Sequence, residues 1–146
     1  MALSPSGISH KSWMQVSAFV VGSFGPVATL ATMEPYSAPA RFTLDLLAWK
    51  FGTMSFRDPT TRFLSALTGG FLFGWGMTLH FLASKVYDKA PEETRQAVVG
   101  GLCCWFCLDS TGSVASGNPV NVLFNIGVLL LSVGPMWWPE QREKKQ

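Results

Sequence analysis

A chain of 146 residues that is 48% hydrophobic and only 14% charged has too few charges for an ordinary soluble domain, in which about a quarter of residues are charged. Its mean hydropathy is positive, and its net charge of +2 is spread over loops and tails; no basic stripe with interleaved aromatics forms, so nucleic acid is not an expected partner. Apolar runs near twenty residues with almost no charge point instead to a bilayer, where a spanning helix takes about 17–25 residues.

Residues 1–11 are polar and carry Gly, Ser and Pro, the composition of a frayed start. The first span is expected at 13–32, interrupted only by Gln15 and small hydroxyls. Lys11, an apolar core and small residues near Ala28 and Ala31 also match the layout of a secretory signal; the segment is read here as a retained helix. Pro35 and Pro39 break the chain after it. Within 40–51, Phe42, Leu46 and Trp49 fall at i, i+4 and i+7, and Arg41 and Asp45 are spaced to pair across one turn. That pattern predicts an amphipathic helix on the membrane face with Trp49 at headgroup depth, or one packed over the mouth of a bundle.

Asp58 followed by Pro59 is a helix start, so the second span is expected at 61–84. The charged turn at 88–94, with Pro91 and an acidic first turn, leads into the third span at 96–114, the shortest. Gly117-Asn118-Pro119 is a tight reversal, and the fourth span, 119–138, ends on Trp137-Trp138-Pro139, an interfacial anchor and a stop. The expected fold is all-α: a single domain forming a four-helix transmembrane bundle with an interfacial helix between spans one and two. Lys11, Lys85, Lys89, Arg95, Arg142, Lys144 and Lys145 fall on one face of it; Arg41, Lys50, Arg57 and Arg62 fall on the other. By the positive-inside rule both termini are expected on the cytoplasmic side of a bacterial inner membrane, or the matrix or stromal side of an organelle.

Lipid cannot satisfy polar side chains, so the polar stripes should face one another. In the first span that stripe is Gln15, Ala18, Gly22, Pro26 and Thr29; in the second, Arg62 and His80 share one line with Gly69 and Gly76 close to it. Depth then groups Arg62, Asp109, Asn121 and Asn125 near the non-cytoplasmic end. An ion pair between Arg62 and Asp109, completed by the two Asn, would neutralise charges that cost about 2.5–3.5 kcal/mol each at the centre of a span. Such a cluster either fixes helix register or forms a functional pocket.

His80 is expected as a hydrogen-bonded interior histidine, with a proton relay or axial ligation of a haem or pigment as the functional alternative. Cys104 and Cys107 form a C-x-x-C that resembles the quinone-coupled disulfide oxidoreductases of the thiol-oxidising and vitamin K epoxide reductase kinds. The match covers four residues, and the one further cysteine, Cys103, is adjacent to Cys104. Three cysteines on one apolar helix more often serve as small packing residues, and their divergent directions suit no zinc site. Gly70 and Gly74 form a G-x-x-x-G expected to admit a close neighbouring helix.

No nucleotide-binding, nucleophile-elbow or metalloprotease motif occurs, and the loops are too short for a soluble catalytic domain. The expectation is a non-enzymatic membrane protein in contact with lipid, either a homo-oligomer or an accessory subunit of a larger membrane complex. A ligand-binding or transport module with its pocket near the non-cytoplasmic face is the alternative, and quinone-linked thiol chemistry at Cys104 and Cys107 is a second.

Overall fold

The computed structural model describes residues 9–139; residues 1–8 of the polar start and the tail cations Arg142, Lys144 and Lys145 lie outside the described residues. Every regular element among the described residues is helical. Helix α1 is His10–Leu30, α2 is Ala38–Ala48, and α3 is Pro59–Phe81, continued by a π-helical turn, Leu82–Val86. Helix α4 is Pro91–Ala115, and α5 is Asn121–Val133, ending in a 3-10 turn, Gly134–Trp137.

The expected caps form. The Asp58 carboxylate accepts from the Thr61 N–H at 2.8 Å to start α3, and Pro91 opens α4 ahead of Glu92 and Glu93. Helix α1 begins before the expected Trp13. The Ser9 hydroxyl accepts from the Ser12 N–H, so His10 and Lys11 are helical, and His10 is buried rather than frayed.

Among the described residues three helices are long and apolar enough to cross a membrane: α1, α3 with its π turn, and α4. The segment expected as a fourth span is shorter. Its α-helical part has 13 residues, about 20 Å of rise, against a hydrocarbon core of about 30 Å. Residues 116–120 are occupied by the reversal. At the other end Gly134, at φ +48, and Pro135, which has no N–H, interrupt the α-helical bonds.

Helices α1 and α3 pack closely along their length because glycines let the backbones meet. A Cβ at Gly76 would lie 2.5 Å from the Gly22 Cα and 2.7 Å from the Ala18 carbonyl oxygen. One at Gly69 would lie 2.7 Å from the Gly25 oxygen, and one at Gly25 would lie 2.7 Å from the Phe73 Cβ. The Ser65 hydroxyl donates to the Ala28 carbonyl at 2.7 Å in the same seam. The inward face of α1 is rotated from the expected stripe: Met14, Ser17, Ala18, Val21 and Gly25 are buried, whereas Gln15 is exposed. Two partners explain the shift. Ala18, Gly22 and Gly25 meet α3, while the Ser17 hydroxyl donates to the Ser132 carbonyl of α5 at 2.9 Å.

Helices α4 and α5 form the second pair. The two pairs share a core at one pole, where α1 begins, with Met14, Leu79, Leu102 and Val133 from four different helices. At the opposite pole α2 closes over the end of α1 through Ala31, Ala40 and Phe56. We call these the N-terminal pole and the loop pole. Helix α4 meets the π turn that follows α3, while α3 itself makes sparse contact with α4, including that of Trp75 with Trp105, whose ring centroids are 5.9 Å apart.

The expected Arg41–Asp45 pair does not form. Asp45 is buried and accepts instead from the backbone N–H groups of Gly52 at 2.8 Å, Thr53 at 3.3 Å and Met54 at 3.1 Å. Three donors fixed in one turn satisfy a carboxylate better than a mobile guanidinium on an exposed helix face.

Substituting Ala at Gly76 tests the seam. Its Cβ can be admitted only by moving backbone, and overpacking of this kind costs about 1–3 kcal/mol. Gly70→Ala meets open space and should stay within about 0.5 kcal/mol of wild type in denaturation from detergent micelles. Equal losses at the two sites would contradict the packing described.

Candidate functional site

Asp109 lies on α4 six residues before Ala115, about 9 Å from the end of the helix at the loop pole. The tight reversal brings the first two turns of α5 beside it. Asn125 donates its amide to the Asp109 Oδ2 at 2.6 Å and to the Ser110 Oγ at 3.1 Å. Asn121 donates to the same Oδ2 at 3.0 Å and to the Ser113 Oγ at 2.8 Å. Both amide hydrogens of each Asn are therefore used within the α4–α5 hairpin. Asn125 is only 4% exposed, whereas Asp109 is exposed and its Oδ1 accepts no hydrogen bond among the described residues. The Asn121 Oδ1 is buried with no partner.

Beside the carboxylate is an open recess of about 560 Å³ lined by Trp105, Leu108, Asp109, Gly112 and Ser113 of α4 and by Ser116 just beyond its end. It lies on the open side of the α4–α5 contact, and Leu108 there is 78% exposed. A half-satisfied carboxylate beside an indole face and an apolar side chain can accept a hydrogen bond or a cation.

Arg62 does not join this group; no ion pair links it to Asp109. The two share a depth along their helices, but direction separates them. Trp75, which meets α4, is 13 residues beyond Arg62, a rotation of about 140° away from it at 100° per residue. Gly69 and Gly76, close to the line of Arg62, face α1 instead.

His80 is exposed, with its ring edge-on to Phe81 at 5.7 Å between centroids. It was expected inside. The packing of α3 is centred on Gly76, Leu79 and Ala83, which leaves His80 on the flank, so any planar ligand on its ring would sit on the outer surface. Cys104 and Cys107 are exposed free thiols on α4 and Cys103 is partly buried, rather than three core packing residues. Among the described residues no three His, Cys, Asp or Glu side chains converge on one point. Gly70 and Gly74 are exposed, and a Cβ at either meets nothing within 4 Å. The close helix contact inside the chain belongs to Gly22, Gly25, Gly69 and Gly76 instead.

A second polar group, at the N-terminal pole, was not anticipated. Pro135 has no N–H, so the Leu131 carbonyl loses its normal helical donor, and the Trp13 indole supplies one at 2.9 Å. Gly134 makes room for that indole; a Cβ there would fall 2.3 Å from the Trp13 Nε1. The His10 Nε2 lies 3.1 Å from the Pro135 carbonyl and donates to it. The Arg95 guanidinium grips Glu92 with two bonds and donates to the Met136 carbonyl at 2.7 Å, while Lys11 pairs with Asp88. Pro135 was the signal available in the sequence: a proline just past an apolar helix leaves carbonyls that aromatic or cationic donors elsewhere must reach.

No protein family, curated protein or solved structure matches this chain. The geometry alone therefore carries the functional argument.

A double-mutant cycle separates the real partners of Asp109 from Arg62. Asn125→Ala and Asp109→Ala should couple by about 0.5–2 kcal/mol, the range for polar pairs between membrane helices. Arg62→Gln and Asp109→Ala should be additive within about 0.5 kcal/mol. Unfolding in mixed micelles measures both, and coupling to Arg62 as large as that to Asn125 would contradict the site.

Proposed function

We propose that this chain is a four-helix membrane subunit without catalytic activity, whose α4 face at the loop pole docks against another transmembrane helix, in a second copy or in a different membrane protein. The observation that carries the reading is the half-satisfied carboxylate of Asp109. It lies about 9 Å inside the end of a membrane-length helix, with one oxygen held by Asn121 and Asn125 and the other facing outward. Lipid offers nothing to that oxygen, and a charged side chain left in hydrocarbon costs several kcal/mol. A neighbouring helix bearing a hydrogen-bond donor or a cation removes that cost. The sparse contact between α3 and α4 favours the same conclusion, since it leaves room beside that face of α4.

The N-terminal pole goes on the cytoplasmic side, on the strength of the tail cations Arg142, Lys144 and Lys145 added to Lys11, Lys85, Lys89 and Arg95. The loop pole, with the polar knot of Asp109, then lies toward the opposite face.

The recess beside Asp109 favours a second reading, in which a small cationic ligand fills the place of the partner helix. Extraction from native membranes in mild detergent separates the two. A subunit is recovered as a stoichiometric oligomer or with one membrane partner, and Asp109→Ala weakens that association by tenfold or more, equivalent to about 1.4 kcal/mol. A monomer that retains a small molecule, lost in Asp109→Ala, establishes the ligand reading. A bare monomer contradicts both.

A further inference from the structure

Just beyond the C-terminus of α2 the chain makes a short projection, residues 49–54, whose shape is set by one buried side chain. Asp45, in the last turn of α2, accepts three backbone N–H groups from Gly52, Thr53 and Met54 and so folds the chain back on itself. Trp49 adopts the left-handed conformation at φ +52, and Gly52 is also at positive φ, +76. The result presents two aromatic rings outward: Trp49 is 62% exposed and Phe51 is 58% exposed, packed edge to face with centroids 5.6 Å apart. Between them in sequence, the Lys50 ammonium donates to the Asn118 side chain at 3.1 Å, which ties the projection to the level of the α4–α5 reversal.

That level identifies the surroundings. Membrane-length α4 ends three residues before Asn118, and membrane-length α3 begins at Pro59, five residues after Met54. The projection therefore lies where headgroups meet acyl chains around such helices. Tryptophan and other amphipathic aromatics favour that boundary, with the ring in the apolar part and the indole N–H among polar groups. Charge agrees. Arg41, Lys50 and Arg57 are exposed at this pole; of the nearby acids Asp45 is consumed by the backbone, Asp58 caps α3, and Glu34 offsets Arg57 at 3.7 Å, which leaves Arg41 and Lys50 as the excess positive charge. A charge-bearing aromatic projection fits a layer of phospholipid phosphates better than an apolar partner helix.

We infer that residues 49–54 form a lipid-interface anchor in which Trp49 and Phe51 enter the headgroup–acyl boundary of the leaflet at the loop pole, with Asp45 as the positioning residue that holds them there. This anchor is independent of the partner-binding face on α4. It fixes the depth and tilt of the helices, because rigid aromatic contacts at one pole resist sliding along the membrane normal.

Site-directed spin labelling tests it. The full chain, with Cys103, Cys104 and Cys107 replaced by Ser, carries a nitroxide at Phe51→Cys or, as a lipid-facing reference, at Leu67→Cys. It is reconstituted in vesicles of phosphatidylcholine and phosphatidylglycerol. The expected result is that the label at position 51 collides more often with dissolved oxygen than with a water-soluble nickel chelate, at a shallower depth than the label at position 67. Chelate access equal to that of a free aqueous label overturns the proposal, and so does loss of both collisions, which means that protein covers the loop. Adding Asp45→Asn, which swaps an acceptor for a donor facing backbone N–H groups, should raise chelate access at position 51 several-fold and leave position 67 unchanged. If position 51 does not respond, Asp45 is not the positioning residue. If that variant fails to fold, Trp49→Ser, which keeps the three Asp45 bonds, must shift the label at position 51 toward water, and no shift overturns the anchor.

Discussion

A carboxylate within an apolar helix must find hydrogen-bond donors, and those within the reach of Asp109 come from α5. Asn121 and Asn125 lie one turn apart on the same face of that short helix, and a tight reversal is required to bring them to α4 at the depth of Asp109. This requirement fixes the register of the hairpin. It also directs the polar face of α4 toward the loop pole, where α3 is not packed against it, and so leaves the second carboxylate oxygen facing outward.

The two helix pairs hold together by different physics. The α1–α3 pair depends on shape: glycines at 22, 25, 69 and 76 bring backbones together where lipid and side chain would be equally apolar, so packing rather than burial supplies the attraction. The α4–α5 pair depends on hydrogen bonds. Where the pairs meet, Pro135 and Gly134 break α5 and expose carbonyls, which His10, Trp13, Ser17 and Arg95 reach from α1 and α4. A helix defect thus becomes the joint between the two halves. Among the described residues no hydrogen bond or ion pair joins α3 to α4 at the loop pole, and that asymmetry gives the chain one tightly joined end and one open end.

Much of this was legible because it is local. Asp58-Pro59, the acidic turn at Pro91 and the Gly117-Asn118-Pro119 reversal each determine their backbone within a few residues, and the starts of α3, α4 and α5 follow from them. Asp109 and its two Asn were also legible, since a tight hairpin maps sequence distance onto depth. What failed was direction about the helix axis. Arg62 shares the depth of Asp109 but turns away from it; His80 and Gln15 lie on outer flanks; and the conspicuous Gly70 and Gly74 face outward while Gly69 and Gly76 meet α1. Periodicity tells which residues share a line, but not which neighbour that line faces. Choosing among three neighbours needs tertiary contacts. Asp45 illustrates a different limit: its partners are backbone groups seven to nine residues later, which no side-chain pattern records.

The central claim is that the α4 face beside Asp109 meets protein rather than lipid, and Leu108, the most exposed side chain there, reports on it directly. A photoreactive amino acid placed at position 108 of the full chain and irradiated in the native membrane should yield a discrete higher-mass protein adduct, to a second copy or to one partner. Adducts to lipid alone at position 108, matching those from a lipid-facing control at position 71 on α3, would contradict the account.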